Sequence, residues 1–474
     1  SYDDNTVAWY RNGGSNGKGD GSSWTRANIT TSASGAEDVF AEDFDGDGDQ
    51  DVLSASRSDD TIAWYENARV ADDIVYVDPD ATSGAENGMS WSDAYTTLQD
   101  ALANLPAGAV DIWIASGTYY PDEGSEQTLG DRAESFQAPN FVSLYGGFDG
   151  TNGTGGGTQE SERDQRNPDP ETNGTVLSGD LGNVDFPGDN SYHVVQVASN
   201  ATVTIDGFTI RDGWASASSA PNNSGAGIWA KSGSDLTLQN IRLSDNSATG
   251  SGGIGGGLYS EGTVSVRSVQ FIRNSADTDG GGVHVSAKFD AANVAFTNND
   301  AGGDGGGIHM TTSSGTFANV LLNGNSASGN GGGIYNDSGS PLLTSLTTSN
   351  NSAGTDGGAI FSTNSDSSPE ITNAIIWGNT PSGSQLFAES GLPLLGTSII
   401  EGGVPSSVFD DGGNLDQDPI FVDPTGSDGT SGTEDDDLRI ESGSPGVDAG
   451  DNSDLPPDML DVNGNGDTSE QLPI

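Results

Sequence analysis

The chain has 474 residues, with 70 Asp and Glu against 15 Lys and Arg, a formal charge of −55, 71 glycines and no cysteine. This charge disfavours nucleic-acid binding, which needs a basic face, and the lack of cysteine excludes disulfides and zinc–thiolate sites. No apolar run approaches the ~18 residues of a membrane-spanning helix. Since Ser1 is not a start methionine, we expect that a leader has been removed or that the chain is a piece of a longer protein.

The first seventy residues carry one strand motif twice. Asn5–Asn12 (NTVAWYRN) recurs as Asp60–Asn67 (DTIAWYEN), and residues 39–53 between them read VFAEDFDGDGDQDVL. Aspartates of this stretch fall at loop positions 1, 3, 5 and 9, a further one can add its backbone carbonyl at position 7, and glycines permit a tight wrap, which predicts a calcium site. The plain alternative is an acidic loop. The predicted ligands are Asp43, Asp45, Asp47, Asp49 and Asp51.

This motif resembles the FG-GAP/VCBS repeat, whose blades build β-propellers. The resemblance implies a small β-propeller-blade-like module with calcium over residues 1–71. Only one whole repeat is present, so either the parent chain is longer or the first strand, residues 5–12, completes the sheet of a neighbouring subunit.

Residues 72–140 are predicted to form the N-terminal cap and first strands of a solenoid. Apolar residues at helical spacing predict an amphipathic helix over residues 92–105, capped by Ser92, which would cover the open end of an apolar core. A strand is predicted at Val110–Ala115. Residues 121–140 and 149–191 are predicted to be long polar loops. The apolar face comprises Trp91, Tyr95, Leu98, Leu102 and Leu105.

The centre of the chain, within residues 141–395, is built from repeats of about 25 residues. Each unit has a glycine-rich anchor ending in an apolar residue, then a short strand, then an asparagine. Repeats of this length with several strands and no helix predict the rungs of a parallel β-helix, with the asparagines in a ladder. The apolar anchors are Ile228, Leu258, Val283, Ile308, Ile334 and Ile360. The asparagines are Asn246, Asn274, Asn299, Asn325, Asn351 and Asn379.

An aromatic or imidazole ring follows each apolar anchor. Rings stacked rung on rung are a stability device, whereas rings that face outward could form a carbohydrate-binding strip. His284 and His309 would be neighbours, but a metal there needs further ligands. The six rings are Trp229, Tyr259, His284, His309, Tyr335 and Phe361.

Residues 396–474 are predicted to close the β-helix with acidic loops. A second calcium loop is predicted near the C-terminus, and the acidic run Asp428–Asp437 is a weaker third candidate. The ligands of the second loop would be Asp461, Asn463, Asn465, Asp467 and Glu470.

Three groups of motifs carry a resemblance over roughly residues 72–474. One group resembles the opening of bacterial secreted right-handed parallel β-helix proteins with a pectin-lyase-like fold, and FIRN (271–274) and FTNN (296–299) resemble the repeats of polymorphic outer membrane proteins. The C-terminal group resembles the choice-of-anchor Q domain. Together they imply an exported, surface-attached protein and leave the mode of attachment open. The opening group is Ile74–Asp80, Gly88–Tyr95, Gly117–Tyr119, Leu144–Phe148 and Ser161–Asp164. The C-terminal group is Ile375–Asn379, Asp418–Asp423, Asp437–Ile440 and Gly443–Gly450.

We therefore expect an all-β, right-handed parallel β-helix that is secreted or on the cell surface, stabilised by calcium, and used for adhesion or self-assembly. The alternative is a polysaccharide lyase or glycosidase, or a carbohydrate-binding module that binds extracellular glycans. Fold does not decide between them, but no catalytic residues can be assigned. A polyuronate lyase needs a basic groove, whereas the few basic rung residues form no evident cluster and the recurring Asp279, Asp304 and Asp356 are typical of architecture. Those basic residues are Arg211, Lys231, Arg242, Arg267, Arg273 and Lys288.

Overall fold

The computed structural model describes residues 7–12, 24–30, 33–42, 51–58, 60–65, 74–81, 84–106, 110–152, 159–183, 186–312 and 314–455. The chain forms two compact units, Ser1–Asp73 and Ile74–Ile474. This boundary lies two residues from the expected division at 71/72. The finer divisions at 140/141 and 395/396 stay predictions.

The first unit is built from antiparallel strands. Val7–Asn12 pairs with Trp24–Thr30, and Ala36–Glu42, Asp51–Ser56 and Thr61–Tyr65 form a three-stranded meander. The first strand is therefore paired within its own chain, which removes the reason to expect that it completes a neighbour's sheet. The propeller-blade assignment stays a prediction.

The second unit is a parallel β-helix whose rungs contribute to three parallel sheets, which we call the long, ring and short sheets. In spatial order from the N-terminal end, the long sheet contains Ile74–Val77, Val110–Ala115, Val142–Phe148, Thr202–Arg211, Asp235–Ser244, Thr263–Ile272, Phe289–Thr297, Thr316–Asn323, Leu342–Ser349, Glu370–Thr372, Leu394–Gly396 and Phe409–Gly412, with Gly117–Tyr119, Thr175–Ser178, Ile375–Trp377 and Ile399–Ile400 beside this path. The ring sheet contains Phe136–Ala138, Val195–Val197, Ile228–Ala230, Leu258–Ser260, Val283–Val285, Ile308–Met310, Ile334–Asp337, Ile360–Thr363 and Leu386–Ala388. The short sheet contains Ser247–Ala248, Ser275–Ala276, Asp300–Ala301, Ser326–Ala327 and Ser352–Ala353. Both expected loops contain a strand, Phe136–Ala138 in the first and Thr175–Ser178 in the second.

The five successive strands of the long sheet from Asp235–Ser244 to Leu342–Ser349 each bend in the middle at one residue with positive φ. In Asp235–Ser244, Leu236 and Leu238 point into the core before the bend, and Ile241 and Leu243 do so after it. The bend residue Asn240 has φ 49°, a left-handed conformation that asparagine tolerates better than most residues. At this residue the alternation of inward and outward side chains shifts by one position, so both halves of the strand bury their apolar side chains. The equivalent residues form the bend row, which comprises Asn240, Ser268, Asn293, Asn319, Ser345 and Asn373.

The glycine anchors make the tight corner that leads into the ring sheet. Gly305 has φ 71°, and a Cβ there would lie 2.5 Å from the carbonyl oxygen of Ile308. Neither the conformation nor the space admits a side chain, so the recurring glycine follows from the corner itself.

The asparagine ladder predicted from the repeats is confirmed. The Nδ2 of Asn299 donates to the Oδ1 of Asn325 at 2.9 Å and to the carbonyl of Phe271 at 2.8 Å, while its Oδ1 accepts the backbone N–H and Nδ2 of Asn274. The six asparagines are at most 1% exposed. Each amide therefore satisfies corner backbone groups that would otherwise be buried without partners.

The expected helix over residues 92–105 is wrong in its extent. A 3₁₀ turn, Trp91–Asp93, is capped by Ser90, and the α-helix covers only Leu98–Ala103, with Thr97 as its cap. The interruption is caused by Tyr95, whose backbone N–H donates to Tyr76 and whose carbonyl accepts from Asp78, extending the edge of the long sheet. The short helix still buries Leu98 and Ala101 in the core. The strand Val110–Ala115 is confirmed. The remaining 3₁₀ turns are Gly150–Asn152, Arg163–Gln165, Pro187–Asp189, Ser382–Ser384 and Asn452–Asp454.

Candidate functional site

The two predicted calcium loops lie almost wholly outside the described residues. Asp43, Asp45, Asp47 and Asp49 are not described, and Asp51 is described only as the first residue of Asp51–Ser56, paired with Glu42. The ligands predicted for the C-terminal loop, Asp461, Asn463, Asn465, Asp467 and Glu470, are also outside the described chain. Within the described part, no three His, Asp or Glu side chains come together to hold a metal ion.

The third acidic candidate, Asp428–Asp437, uses its carboxylates to build its own turn. Asp435 accepts hydrogen bonds from the hydroxyls of Ser427 and Thr433, and these bonds hold its pKa well below the usual range. Asp436 accepts backbone N–H bonds from Gly432 and Thr433. The carboxylates of Asp435 and Asp436 therefore each accept their own set of hydrogen bonds within the turn.

The predicted ring row forms a nearly continuous stack on the outer face of the ring sheet. From His284 to Phe361, neighbouring ring centroids are 4.5–5.3 Å apart and the ring planes differ by 6–12°. Tyr259 meets His284 edge-on at 5.7 Å, and the stack extends to Phe387, which the sequence analysis missed. Trp229 instead lies beside His193 and under the Lys231 ammonium, 4.8 Å from its ring. From His284 to Phe387, the rings cover one another's faces.

His284 and His309 are the tightest pair in this stack. They are 8% and 7% exposed, and the Nδ1 of each has no hydrogen-bond partner within the described structure. Burial and, next in size, the neighbouring imidazole lower the pKa of His284 to about 3, and burial lowers the pKa of His309 to about 4. Both imidazoles are therefore neutral near pH 7.

The aspartates that recur at the rung turns, Asp279, Asp304 and Asp356, also have a structural role. The Oδ1 of Asp279 accepts the backbone N–H of Asp304 at 2.9 Å, and the Oδ1 of Asp304 accepts the backbone N–H of Asn330 at 2.6 Å. Asp356 accepts from the hydroxyl of Ser384. Each carboxylate thus caps the turn of the next rung, as their recurrence predicts.

A segment near the C-terminus, residues 432–455, lies back across the outer face of the long sheet; we call it the C-terminal strap. It contains Asp437–Ile440, which pairs with Phe421–Asp423 in an antiparallel hairpin. Asn323 donates to the carbonyl of Thr433 and to Asp436, and Leu455 packs against Ala318. The strap therefore contacts several rungs.

Two rung arginines converge on one strap carboxylate, which corrects the expectation that the basic residues form no cluster. Arg242 contacts Glu434 at 2.7 Å, and Arg273 contacts the other oxygen of the same carboxylate. Arg273 also pairs with Asp245, and Arg242 lies 3.5 Å from Glu171. Arg242 is an exception in an otherwise uncharged row, and each of the two arginines contacts two carboxylates.

An outer groove of ≈1180 Å³ lies between the strap and a loop of the second long connection. Pro168–Pro170 forms one wall, Asp436–Ile440 forms the other, and the floor includes Asn293, Asn319 and Leu321. A smaller groove of ≈520 Å³ continues along later rungs and shares Asn319 with the first. The two grooves thus follow the bend row along the axis of the β-helix.

The loop wall of this groove is firmly anchored. Arg166 pairs with Asp206 at 2.5 Å, with side chains only 7% and 6% exposed, and also donates to the carbonyl of Gly146. The hydroxyl of Thr209 donates to the carbonyl of Pro170. Sequence analysis did not identify this pair, because Arg166 and Asp206 are 40 positions apart.

Comparisons with known proteins identify the repeats. The model of the right handed beta helix region matches residues 181–353, and the model of the Chlamydia polymorphic membrane protein repeat matches residues 349–363. No curated protein matches the chain. No helix within the described residues is long and apolar enough to span a membrane.

Three solved pectin methylesterases are distantly similar to this chain. The Aspergillus niger enzyme in deglycosylated form has 13% identity and a TM-score of 0.29, with 73% of this chain and 87% of that chain covered. PemA from Erwinia chrysanthemi has 13% identity and a TM-score of 0.27, covering 71% and 80%. A pectin methylesterase in complex with hexasaccharide VII has 14% identity and a TM-score of 0.26, with the same coverage. Likenesses this distant say nothing of activity. The parallel sheets and the matched repeat model together make the second unit a right-handed parallel β-helix.

Proposed function

We propose that this chain is an extracellular or cell-surface structural module, whose second unit is a β-helical rod used for adhesion or self-assembly. The observation that carries the proposal is the uniformity of its faces. Asparagines, rings and turn acids each occupy one position on rung after rung and bond to the next rung. A catalytic site is a local exception to such order, whereas a scaffold needs only the order itself.

The basic residues that depart most clearly from the repeat pattern make structural contacts. Arg242 and Arg273 are both bound to Glu434 of the strap, and Arg166 is buried against Asp206. Guanidinium groups already paired with carboxylates are poorly placed to neutralise the uronates of an acidic polysaccharide. The match to a polymorphic membrane protein repeat supports a surface location for the rod.

The ring row favours the same role. Sugars bind aromatic residues by stacking on the ring face, and here the faces from His284 to Phe387 cover one another at 4.5–5.7 Å. Because these ring faces are occupied by their neighbours, a stabilising stack fits this geometry better than a carbohydrate strip.

Calcium belongs to the proposal as a stabilising ion of the acidic loop over residues 43–51. The aspartate spacing supports it, because carboxylates at alternate positions supply the oxygen ligands that a hard cation requires. Glycines between them permit the tight wrap of the loop. The predicted loop at residues 461–470 would bind in the same way.

The competing function is a polysaccharide-active enzyme or carbohydrate-binding module. It is tested by incubating the purified chain with methylated pectin, polygalacturonate and neutral glycans, and measuring released methanol, unsaturated ends and reducing ends. We expect no turnover above that of a heat-denatured sample. Turnover of any of these polymers that survives repeated purification would overturn the structural proposal.

A further inference from the structure

One member of the bend row, Asn373, already binds the main chain of the C-terminal strap. The Nδ2 of Asn373 donates to the carbonyl of Asp451 at 3.0 Å, and the Oδ1 of Asn373 accepts the backbone N–H of Asp451 at 2.8 Å. One side-chain amide therefore satisfies both main-chain groups of a strap residue. A neighbouring strand would offer the same pair of bonds, so the amide substitutes for a strand edge.

The same row continues into the outer groove, where Asn293 and Asn319 line the floor. The two residues lie side by side on adjacent strands, because Val294 pairs with Val320. Their φ values are 54° and 53°, equal within a degree to that of Asn373. The three residues therefore share the left-handed conformation of the bend row. Asn319 is exposed and donates to the Oδ1 of Asn293 at 2.6 Å.

The surroundings of these amides select among possible occupants. The charged residues along the groove are Asp169, Asp436, Asp437 and Arg439. Arg439 is already paired with Asp437 at 2.5 Å, which leaves an acidic excess. Ala295 and Leu321, outward-facing on neighbouring rungs, add aliphatic contact surface. An acidic, partly aliphatic groove complements a chain that alternates basic and small apolar side chains.

We propose that the outer groove binds an extended basic polypeptide segment of a partner protein, with Asn319, which is held by its hydrogen bond to Asn293, binding its backbone as Asn373 binds Asp451. The partner's segment would lie on the same outer face of the long sheet on which the C-terminal strap of this chain already lies. Binding of this kind resembles strand addition, in which main-chain hydrogen bonds supply affinity and alternate side chains supply specificity. The proposal does not depend on whether the rod assembles.

The test is a titration of the full chain, at physiological ionic strength, with a fluorescent peptide of five Lys-Ala repeats. Anisotropy is measured for the wild type, for the double variant Asn293→Gly/Asn319→Gly, and for Asn298→Gly. Glycine tolerates the positive φ at all three positions, and Asn298 is an exposed asparagine of a neighbouring turn with φ 57°. We expect binding by the wild type and the Asn298 variant, and about tenfold weaker binding by the double variant because the backbone-binding amide of Asn319 and its support from Asn293 are lost.

Two controls separate this site from general attraction to an acidic protein. A peptide of five Glu-Ala repeats should not bind, and cellohexaose should not displace the Lys-Ala peptide. Equal affinity of the double variant and the wild type would show that the peptide binds by charge alone and would overturn the proposal. Failure of the wild type to bind the peptide, or displacement by cellohexaose that depends on Asn319, would overturn it as well.

Discussion

At the scale of single residues, the β-helix depends on asparagines in two different roles. Bend-row residues such as Asn319 are selected by a backbone conformation that few side chains accept, and their amides face outward. Ladder residues such as Asn299 are selected by hydrogen bonding, because the corners bury backbone groups that only a side-chain amide reaches. Both rows repeat at the same period, and the sequence analysis recognised only the ladder.

Replacing a ladder residue should destabilise the rod strongly. Asn299→Ala removes the side-chain donor to the carbonyl of Phe271 and to Asn325, and the acceptor of the backbone N–H and Nδ2 of Asn274, in a dry corner. Because each such group costs about 1–3 kcal/mol, we expect a loss of several kcal/mol and a clear drop in melting temperature by calorimetry. Asn298→Gly, at an exposed neighbouring position, should change stability by less than about 0.5 kcal/mol. Equal effects of the two changes would refute the ladder's role.

The histidine pair makes stability depend on pH. In the unfolded chain the imidazoles take up protons near pH 6.5, but in the fold the pKa values are about 3 for His284 and about 4 for His309. The unfolded state therefore binds more protons between about pH 6.5 and 4, and native stability falls as pH is lowered through this window. Each histidine contributes a slope of up to about 1.4 kcal/mol per pH unit.

The double variant His284→Phe/His309→Phe should flatten this dependence while keeping the stack, since Phe361 already occupies the same row. Melting temperatures between pH 7.5 and 4.5 provide the measurement. Tyr335→Phe is the matched control, because it preserves a ring and removes no group that titrates there. An unchanged slope in the double variant would contradict the burial of neutral imidazoles.

At the scale of elements, repetition decides what a sequence can predict. Rungs, glycine corners and the asparagine ladder follow from local signals that recur, and the structure contains them. The strap and the groove could not be predicted, because Glu434 and Arg242 are 192 positions apart and no motif links them. The capping helix was overestimated because Tyr95 fits a helical apolar face yet makes sheet hydrogen bonds.

The strap should be loosened by removing its central carboxylate. Glu434→Gln leaves Arg242 and Arg273 without their shared strap partner. Because partly exposed ion pairs contribute up to about 1 kcal/mol, we expect amide hydrogen exchange over residues 436–440 to quicken by about threefold to tenfold at low salt. Raising the salt should bring the wild type towards the variant. Glu441→Gln, an exposed neighbour, is the control, and equal exchange in all three proteins would contradict the clamp.

At the scale of the whole molecule, the charge of −55 is partly accounted for by architecture. Some acids cap rung turns, and others pair with the few arginines. The predicted calcium loops would use a further share. A thin, repetitive core explains how a chain with 32% hydrophobic residues folds, since only alternate residues of short strands point inward.

Calcium removal tests the acidic loop over residues 43–51. If the loop binds calcium in the folded state only, chelation with EDTA should lower the melting temperature of the wild type, and added calcium should restore it. Asp45→Asn/Asp47→Asn should melt at the lower temperature in either condition. A melting curve of the wild type unaffected by EDTA would count against structural calcium.

The central claim is that this chain is a structural module rather than a catalyst. Electron microscopy of the purified native protein in calcium-containing buffer, over a range of concentrations, tests that claim most directly. The account predicts slender rods that join into filaments or layers as concentration rises. Isolated particles at every concentration that also release unsaturated sugars from polyuronates would contradict it.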